Sequence, residues 1–239
     1  MARPRLSHTF FRTDASFSIG TGHVMRCLTL ANELSQKGAT IKFICREEPG
    51  HMINHIEEQG YQVYRLPSGI DLETDLKLSK GYLEKHSRPI DWLVVDHYDM
   101  DIRWESCMRQ SVHKIMVIDD MINRVHDCDI LLNQNYGFFE EQYQGLVPNH
   151  CIQLLGPKYA LLRPQFRKVL ENLRERDGEV KRILVFMGGA DPTNQTCKVL
   201  RAIKKLNSPD ITVDTVIGAS NPNRGEVERL SSEIPNASC

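Results

Sequence analysis

The sequence lacks three features that would assign it to a class at once: an excess of one charge, a long apolar run and closely spaced cysteines. Its 30 Lys and Arg balance 31 Asp and Glu, which leaves a formal net charge of −1. This balance gives no electrostatic reason to expect nucleic acid or an anionic membrane as a partner. No apolar run is long enough to span a membrane, and residues 1–5 lead into a strand without the apolar core of a signal peptide.

The seven cysteines are scattered, and no Cys-x-x-Cys pair occurs among them. Most lie within apolar runs such as residues 41–45 (IKFIC), which is typical of small core residues in a reduced cytosolic protein. The sequence also has no Gly-x-Ser-x-Gly nucleophile motif. His51 and His55 have the spacing of a zinc pair without the Glu of His-Glu-x-x-His, which favours a solvated helix face. We expect a soluble, cytoplasmic monomer.

A Gly-rich segment, residues 12–23 (RTDASFSIGTGH), joins an apolar strand to an amphipathic helix that starts at Val24. Gly20 and Gly22 allow close approach of a ligand to the backbone. The free N–H groups and the positive dipole end of the helix favour an anion. His23 stands at the start of that helix and could exchange a proton near neutral pH. The segment therefore predicts chemistry on a phosphorylated small molecule.

Two other interpretations of this segment remain open. A dinucleotide-binding turn would need Gly or Ala where Met25 stands. His23 could also be an ordinary residue at the start of a helix.

Strand and helix patterns alternate through residues 10–133, which predicts a parallel, doubly wound α/β sheet. A charged segment, residues 166–181, is predicted to be helical, and a domain boundary is placed near residues 164–180. We assign residues 1–165 to an N-terminal Rossmann-like domain and 178–239 to a partial C-terminal one. The second has only two clear strands, too few to pack a sheet independently, so we expect a fragment of a longer protein.

Further polar residues follow the predicted strands. Gly188 and Gly189 lie in a loop before a helix predicted from Thr193. This loop could hold a diphosphate, or it could be a plain turn between a strand and a helix. Residues 96–99 (DHYD) follow the fourth strand, at the edge where open α/β sheets place ligands. Asp119 and Asp120 follow the fifth and could bind a metal, but adjacent side chains on a strand point different ways.

Several segments together resemble one family, that of the UDP-2,4-diacetamido-2,4,6-trideoxy-β-L-altropyranose hydrolases of pseudaminic acid biosynthesis. They extend from residue 12 to about 223 and read RTDASFSIGTGH, VVDHY, IDD, CDILLNQN, YxGLVP, YALLRPQF, FMGGADPTN and SNPN. The family is similar to the GT-B glycosyltransferases, notably the N-acetylglucosaminyl transferase that makes lipid II. The resemblance implies two Rossmann-like domains facing each other across a nucleotide-sugar cleft, and segments beyond residue 239 that hold the nucleoside.

The resemblance also implies hydrolysis of the bond between the anomeric carbon and the diphosphate, with inversion. Because the sequence offers no convincing ligand cluster, we expect no metal and no cofactor. His23 matches the catalytic histidine and Tyr98 an active-site tyrosine. We add Asp14, at the end of the first strand, as the residue that fixes the His23 tautomer. The remaining expected substrate-binding residues are Gly20, Thr21, Gly22, Arg163, Gly188, Gly189, Asp191, Asn194, Ser220 and Asn221.

Overall fold

The computed structural model describes residues 7–170, 173, 177–189, 191–218 and 221–239. These residues fold as two compact units. One comprises the chain up to Ser16 together with Thr21–Arg167, and the other comprises Phe17–Gly20 with Lys168–Cys239. The division after Arg167 falls two residues beyond the end of the N-terminal domain expected from the sequence.

The first unit is built on a seven-stranded sheet in which every pairing is parallel. Its strands are β1 (His8–Thr13), β2 (Thr40–Arg46), β3 (Gln62–Leu66), β4 (Ile90–Asp96), β5 (Val112–Ile118), β6 (Ile130–Asn133) and β7 (Ile152–Leu155). The strand order is β3-β2-β1-β4-β5-β6-β7, so the direction of winding reverses between β1 and β4. Open α/β sheets bind ligands beside such a reversal, outside the carboxyl ends of the strands.

Helices cover both faces of this sheet because successive side chains of a strand point to opposite faces. These helices are α1 (Gly22–Gln36), α2 (Ile53–Glu58), α3 (Leu72–Glu84) and α4 (Ile102–Met108), and short 3₁₀ turns span Glu140–Tyr143 and Pro157–Tyr159. Helix α5 (Pro164–Leu170) has no buried residue and includes the division between the two units. Phe11 of β1 packs in the apolar cluster that includes buried residues of α1 and α2. Phe10 packs in the opposite cluster, with Trp104 of α4.

Strands and helices alternate through residues 10–133, as the sequence predicts. Two predictions outside that stretch need correction. The short strand β7 was not predicted, because it is a partly exposed edge strand of only four residues. The helix expected over residues 166–181 is wrong for residues 177–181, which are not helical and include Gly178 with a φ of +88°.

The second unit contains a parallel three-stranded sheet of order β10-β9-β8. Its elements are β8 (Arg182–Val185), α6 (Gln195–Leu206), β9 (Thr212–Thr215), α7 (Arg224–Ser232) and β10 (Ala237–Ser238). From the sequence we expect only two strands here, too few to pack a sheet independently. The structure instead has a third strand, β10, and a buried apolar cluster within this unit. The cluster comprises Val185, Cys197, Leu200, Val213, Val227, Leu230 and Ile234.

Among the described residues, no helix combines the length and the hydropathy that crossing a membrane requires.

Candidate active site

The site forms where β1 and β4 lie side by side at the point of reversed winding. Thr13, the last residue of β1, is paired with Asp96, the last residue of β4. Helix α1 follows β1 in the chain and has His23 as its second residue. The fold thereby places a histidine and a carboxylate together at the carboxyl edge of the sheet.

His23 and Asp96 form a short, buried hydrogen bond. The Nδ1 atom of His23 lies 2.6 Å from Oδ1 of Asp96, which is fully buried. Burial alone would raise the pKa of Asp96, but hydrogen bonds from Arg26 and His23 outweigh it and hold the pKa below its ordinary value. An ionised carboxylate only accepts hydrogen bonds, so Nδ1 of His23 carries the proton. In the neutral imidazole, Nε2 is then left as the basic atom.

Arg26 holds this carboxylate in place. Its Nε donates to Oδ2 of Asp96 at 2.6 Å, and its Nη2 donates to Oδ1 at the same distance. Its Nη1 also reaches Asp120, after β5, at 3.2 Å. Burial would lower the pKa of Arg26, but the two carboxylates raise it well above its ordinary value, so the guanidinium stays charged. Arg26 thus ties α1 to the ends of two neighbouring strands.

Tyr98, a predicted catalytic residue, lies against His23. The two rings meet edge to face, with centroids 4.5 Å apart and an interplanar angle of 84°. Tyr98 is 41% exposed, and its pKa is raised by burial and by the charge of Asp120. It is therefore a neutral phenol that can donate a hydrogen bond to a ligand beside His23.

Asp14 does not have the role expected from the sequence. The carboxylate that bonds the ring of His23 is Asp96, whereas Asp14 accepts from the buried Arg12, from Nε2 of His97 and from the backbone N–H of Arg46. Burial opposes its ionisation, but the charge of Arg12 and the bond from His97 bring the pKa of Asp14 far below its ordinary value. Asp14 is thus a buried structural anion behind the site.

His97 links that anion to the segment that carries Asp96 and Tyr98. Its Nε2 donates to Asp14 at 3.1 Å, and its Nδ1 accepts from the backbone N–H of Asp99 at 3.0 Å. One nitrogen donates and the other accepts, as in a neutral imidazole. His97 therefore anchors the loop after β4 from behind.

The N-cap residue of helix α1 makes no side-chain capping hydrogen bond. This residue is Thr21, and the first turn of the helix has no acidic residue. Gly20 has a φ of +77°, which glycine adopts without strain. A Cβ added at Gly20 or Gly22 would meet no atom within 4 Å. Space is therefore available beside the first N–H groups of α1.

The second Gly-rich loop differs from its predicted form. Helix α6 begins at Gln195 rather than Thr193, and the carboxylate of Asp191 accepts from the N–H groups of Gln195 and Thr196, each at 2.8 Å. Asp191 is therefore a helix cap, and it fills part of the anion site that the sequence predicted there. Gly188 has a φ of +81°, and a Cβ at Gly188 or Gly189 would enter open space.

The other predicted binding residues make contacts within their own surroundings. The amide of Asn194 donates to Glu226, and Oδ1 of Asn221 accepts from the backbone N–H of Asn223. Arg163 lies over the ring of Phe166 at 5.6 Å. Ser220 lies outside the described residues.

Asp119 and Asp120, considered as metal ligands, are engaged by arginines. Asp119 pairs with Arg124 at 2.6 Å, and Asp120 pairs with Arg26. Within the part of the chain that the structure describes, no group of three or more His, Cys, Asp or Glu side chains could hold a metal ion.

Sequence reasoning left out Asp96, Arg26 and His97 as site residues. Asp96 was recognised only as lying at the ligand-binding edge. A signal for Arg26 exists in its position three residues after His23, which places both on one side of the helix.

Comparison with known proteins identifies relatives over nearly the whole chain. No protein-family model matches the sequence. The UDP-2,4-diacetamido-2,4,6-trideoxy-β-L-altropyranose hydrolase of Campylobacter jejuni is 31% identical over 222 residues, which cover 92% of this chain and 73% of that protein. The spore coat polysaccharide biosynthesis protein SpsG of Bacillus subtilis is 25% identical over 233 residues, 95% of this chain and 64% of that protein.

Solved structures show the same fold. The crystal structure of MurG from Acinetobacter baumannii aligns with a TM-score of 0.55 and 15% identity, covering 97% of this chain and 65% of that one. At this identity the likeness concerns the fold alone, and it confirms the predicted GT-B type. The chain spans less than two thirds of both the SpsG protein and the MurG chain.

Proposed function

The chain belongs to the family of UDP-2,4-diacetamido-2,4,6-trideoxy-β-L-altropyranose hydrolases, and we propose that it hydrolyses this UDP-sugar in pseudaminic acid biosynthesis. Water attacks the anomeric carbon, and the bond from that carbon to the diphosphate oxygen breaks. The products are UDP and 2,4-diacetamido-2,4,6-trideoxy-L-altropyranose with inverted anomeric configuration. The bond between His23 and Asp96 is the observation that carries this proposal.

His23 acts as the general base. Its Nδ1 is committed to Asp96 at 2.6 Å, so Nε2 is the atom that takes a proton from the attacking water. The imidazolium that forms is stabilised by the adjacent carboxylate, whose negative charge Arg26 maintains. Tyr98 contacts the ring of His23 and positions the water or the sugar through its phenol.

The leaving group needs no strong general acid. An ordinary glycosidase protonates a departing sugar oxygen, which is a poor leaving group. A diphosphate departs as a stabilised anion, so donors to its oxygens suffice. We assign this role to the N–H groups at the start of α1, next to His23. Such a reaction proceeds without a divalent metal.

A glycosyltransferase that uses the same donor with an alcohol acceptor is the second candidate. A nucleotide-sugar-binding protein without turnover is a third. The three differ in what happens to the UDP-sugar in plain buffer. The hydrolase releases free sugar and UDP, the transferase requires an added acceptor, and the binding protein releases neither.

The decisive experiment follows the reaction by proton NMR in buffer made with ¹⁸O-labelled water and analyses the released UDP by mass spectrometry. Attack at the anomeric carbon leaves UDP unlabelled, and the first sugar anomer to appear has the inverted configuration. His23→Asn provides the matched variant. Absence of free sugar without an acceptor, or ¹⁸O in the UDP, contradicts the proposal.

A further inference from the structure

Cys128 and Cys151 bring two thiols together at the start of two neighbouring strands. Their Sγ atoms are 3.5 Å apart. Cys128 lies two residues before β6 and Cys151 lies one residue before β7, and the first residues of these strands, Ile130 and Ile152, are paired in parallel register. Cys128 is fully buried, while Cys151 is partly exposed.

The two sulfurs differ in their ionisation. A hydrogen bond from Cys128 lowers the pKa of Cys151, and a bond from the backbone of Leu131 acts in the same direction against the effect of burial. The bond to Cys151, burial and the charges of Glu105 and Asp129 raise the pKa of Cys128. Cys151 is thus the accessible thiol with more thiolate character, and Cys128 is the protonated partner behind it.

We propose that Cys128 and Cys151 form an oxidation site at which hydrogen peroxide converts the two thiols into an intramolecular disulfide. The thiolate of Cys151 attacks one peroxide oxygen, the O–O bond breaks, and a sulfenic acid and water result after protonation. The sulfur of Cys128 then displaces hydroxide from the sulfenic sulfur and loses its own proton. Two thiols and one peroxide yield one disulfide and two waters, and the peroxide is the oxidant.

The geometry allows this bond with little rearrangement. A disulfide joins sulfurs about 2 Å apart, so the two atoms need to approach by roughly 1.5 Å through side-chain rotation. The pair lies at the amino ends of β6 and β7, whereas His23 and Asp96 lie at the carboxyl edge of the sheet. The bond closes a chain segment that contains β6, so it restricts the unfolded state without touching the active site.

The test treats the full-length reduced protein with hydrogen peroxide, blocks the remaining thiols and maps the peptides by mass spectrometry. We expect one cross-linked pair, residues 128 and 151, loss of two titratable thiols, reversal by dithiothreitol and a higher thermal midpoint. Cys128→Ala removes the resolving thiol, so a dimedone adduct should accumulate at Cys151. Cys239→Ser, at an exposed cysteine, should leave the cross-link unchanged.

Peptide mapping of the wild-type protein shows whether Cys128 and Cys151 form the disulfide, even if a variant folds poorly. Oxidation of Cys151 to sulfinic acid without a linked peptide would overturn the proposal. A cross-link to Cys107 or between two molecules would do the same. UDP-sugar hydrolysis is measured separately, so its absence bears on the proposed function and not on this site.

Discussion

Replacement of Asp96 by Asn tests whether this carboxylate fixes the tautomer of His23. Oδ1 of Asp96 accepts from His23 and from Nη2 of Arg26, and Oδ2 accepts from Nε of Arg26, each at 2.6 Å. An amide keeps one acceptor and turns the other position into a donor. If its NH₂ group faces His23, the imidazole must accept at Nδ1 and carry its proton on Nε2, which abolishes the base. If it faces Arg26, two donors oppose each other.

Both orientations reduce turnover, and the expected loss is that of a general base, about 10²–10⁴-fold in kcat. Breaking a buried charge pair typically costs about 3–5 kcal/mol of stability. We expect the lower part of that range, because Arg26 keeps Asp120 as a partner. UDP affinity, measured by calorimetry, should change little. If the NH₂ group faces His23, the ¹⁵N shifts of His23 in the resting protein should show its proton moved from Nδ1 to Nε2.

Asp120→Asn is the matched control. It removes a carboxylate from the same arginine at 3.2 Å but leaves the bond between His23 and Asp96 in place. Its kcat should stay near that of the wild type. Equal losses in the two variants, or a folded Asp96→Asn protein with normal turnover, would refute the tautomer argument.

Four further predictions concern the same molecule. His23→Asn should lower kcat by about 10²–10⁴-fold and leave UDP affinity intact in calorimetry, because it removes the base alone; normal turnover would contradict this. Exhaustive chelation should leave the rate unchanged, and a loss that added metal restores would return attention to metal chemistry. Gly189→Val should weaken UDP binding with little change in thermal midpoint, because the added Cβ enters open space. Gly218→Ala should instead destabilise the fold, because its added Cβ would overlap the Gly189 carbonyl. Equal UDP affinity in Gly189→Val and its parent would remove this loop from the site. The pKa values of Asp14 and Asp96 are lowered in the folded state, so ionisation of the two carboxylates stabilises the fold above the unfolded pKa of about 3.9. This stabilisation is lost as the pH falls below that value, so the thermal midpoint should drop there. A thermal midpoint that does not change with pH would contradict the prediction.

The sequence predicted most of the first unit because its elements carry strong periodic signals. The run Ile90–Asp96 is apolar almost throughout, as a strand buried on both faces requires. The sequence did not predict two of the short strands among the described residues, β7 and β10. β7 is short and lies at the sheet edge, and β10 has only two residues, so neither carries a period long enough to recognise.

The sequence also could not predict which carboxylate forms a hydrogen bond to His23, for a different reason. Asp14 and Asp96 both follow or end strands at the same edge, and both were recognised as lying there. Which of them meets His23 depends on how α1 crosses the sheet, and side chains one residue apart along a strand point to opposite faces. Thr13 is paired with Asp96, so Asp14 lies one step further along β1 and bonds Arg12 and His97 instead.

The two Gly-rich loops show how one local pattern produces two chemically different helix starts. Asp191 places its carboxylate on the first N–H groups of α6, and this supplies the negative charge that such a site attracts. Helix α1 has no such side chain, because its N-cap is Thr21 and its first turn holds no acid. An anionic ligand would compete with a covalently attached carboxylate at α6, whereas the N-cap residue of α1 makes no side-chain capping bond and the first turn has no carboxylate. Of the two helix starts, the physical argument for phosphate recognition therefore rests on α1.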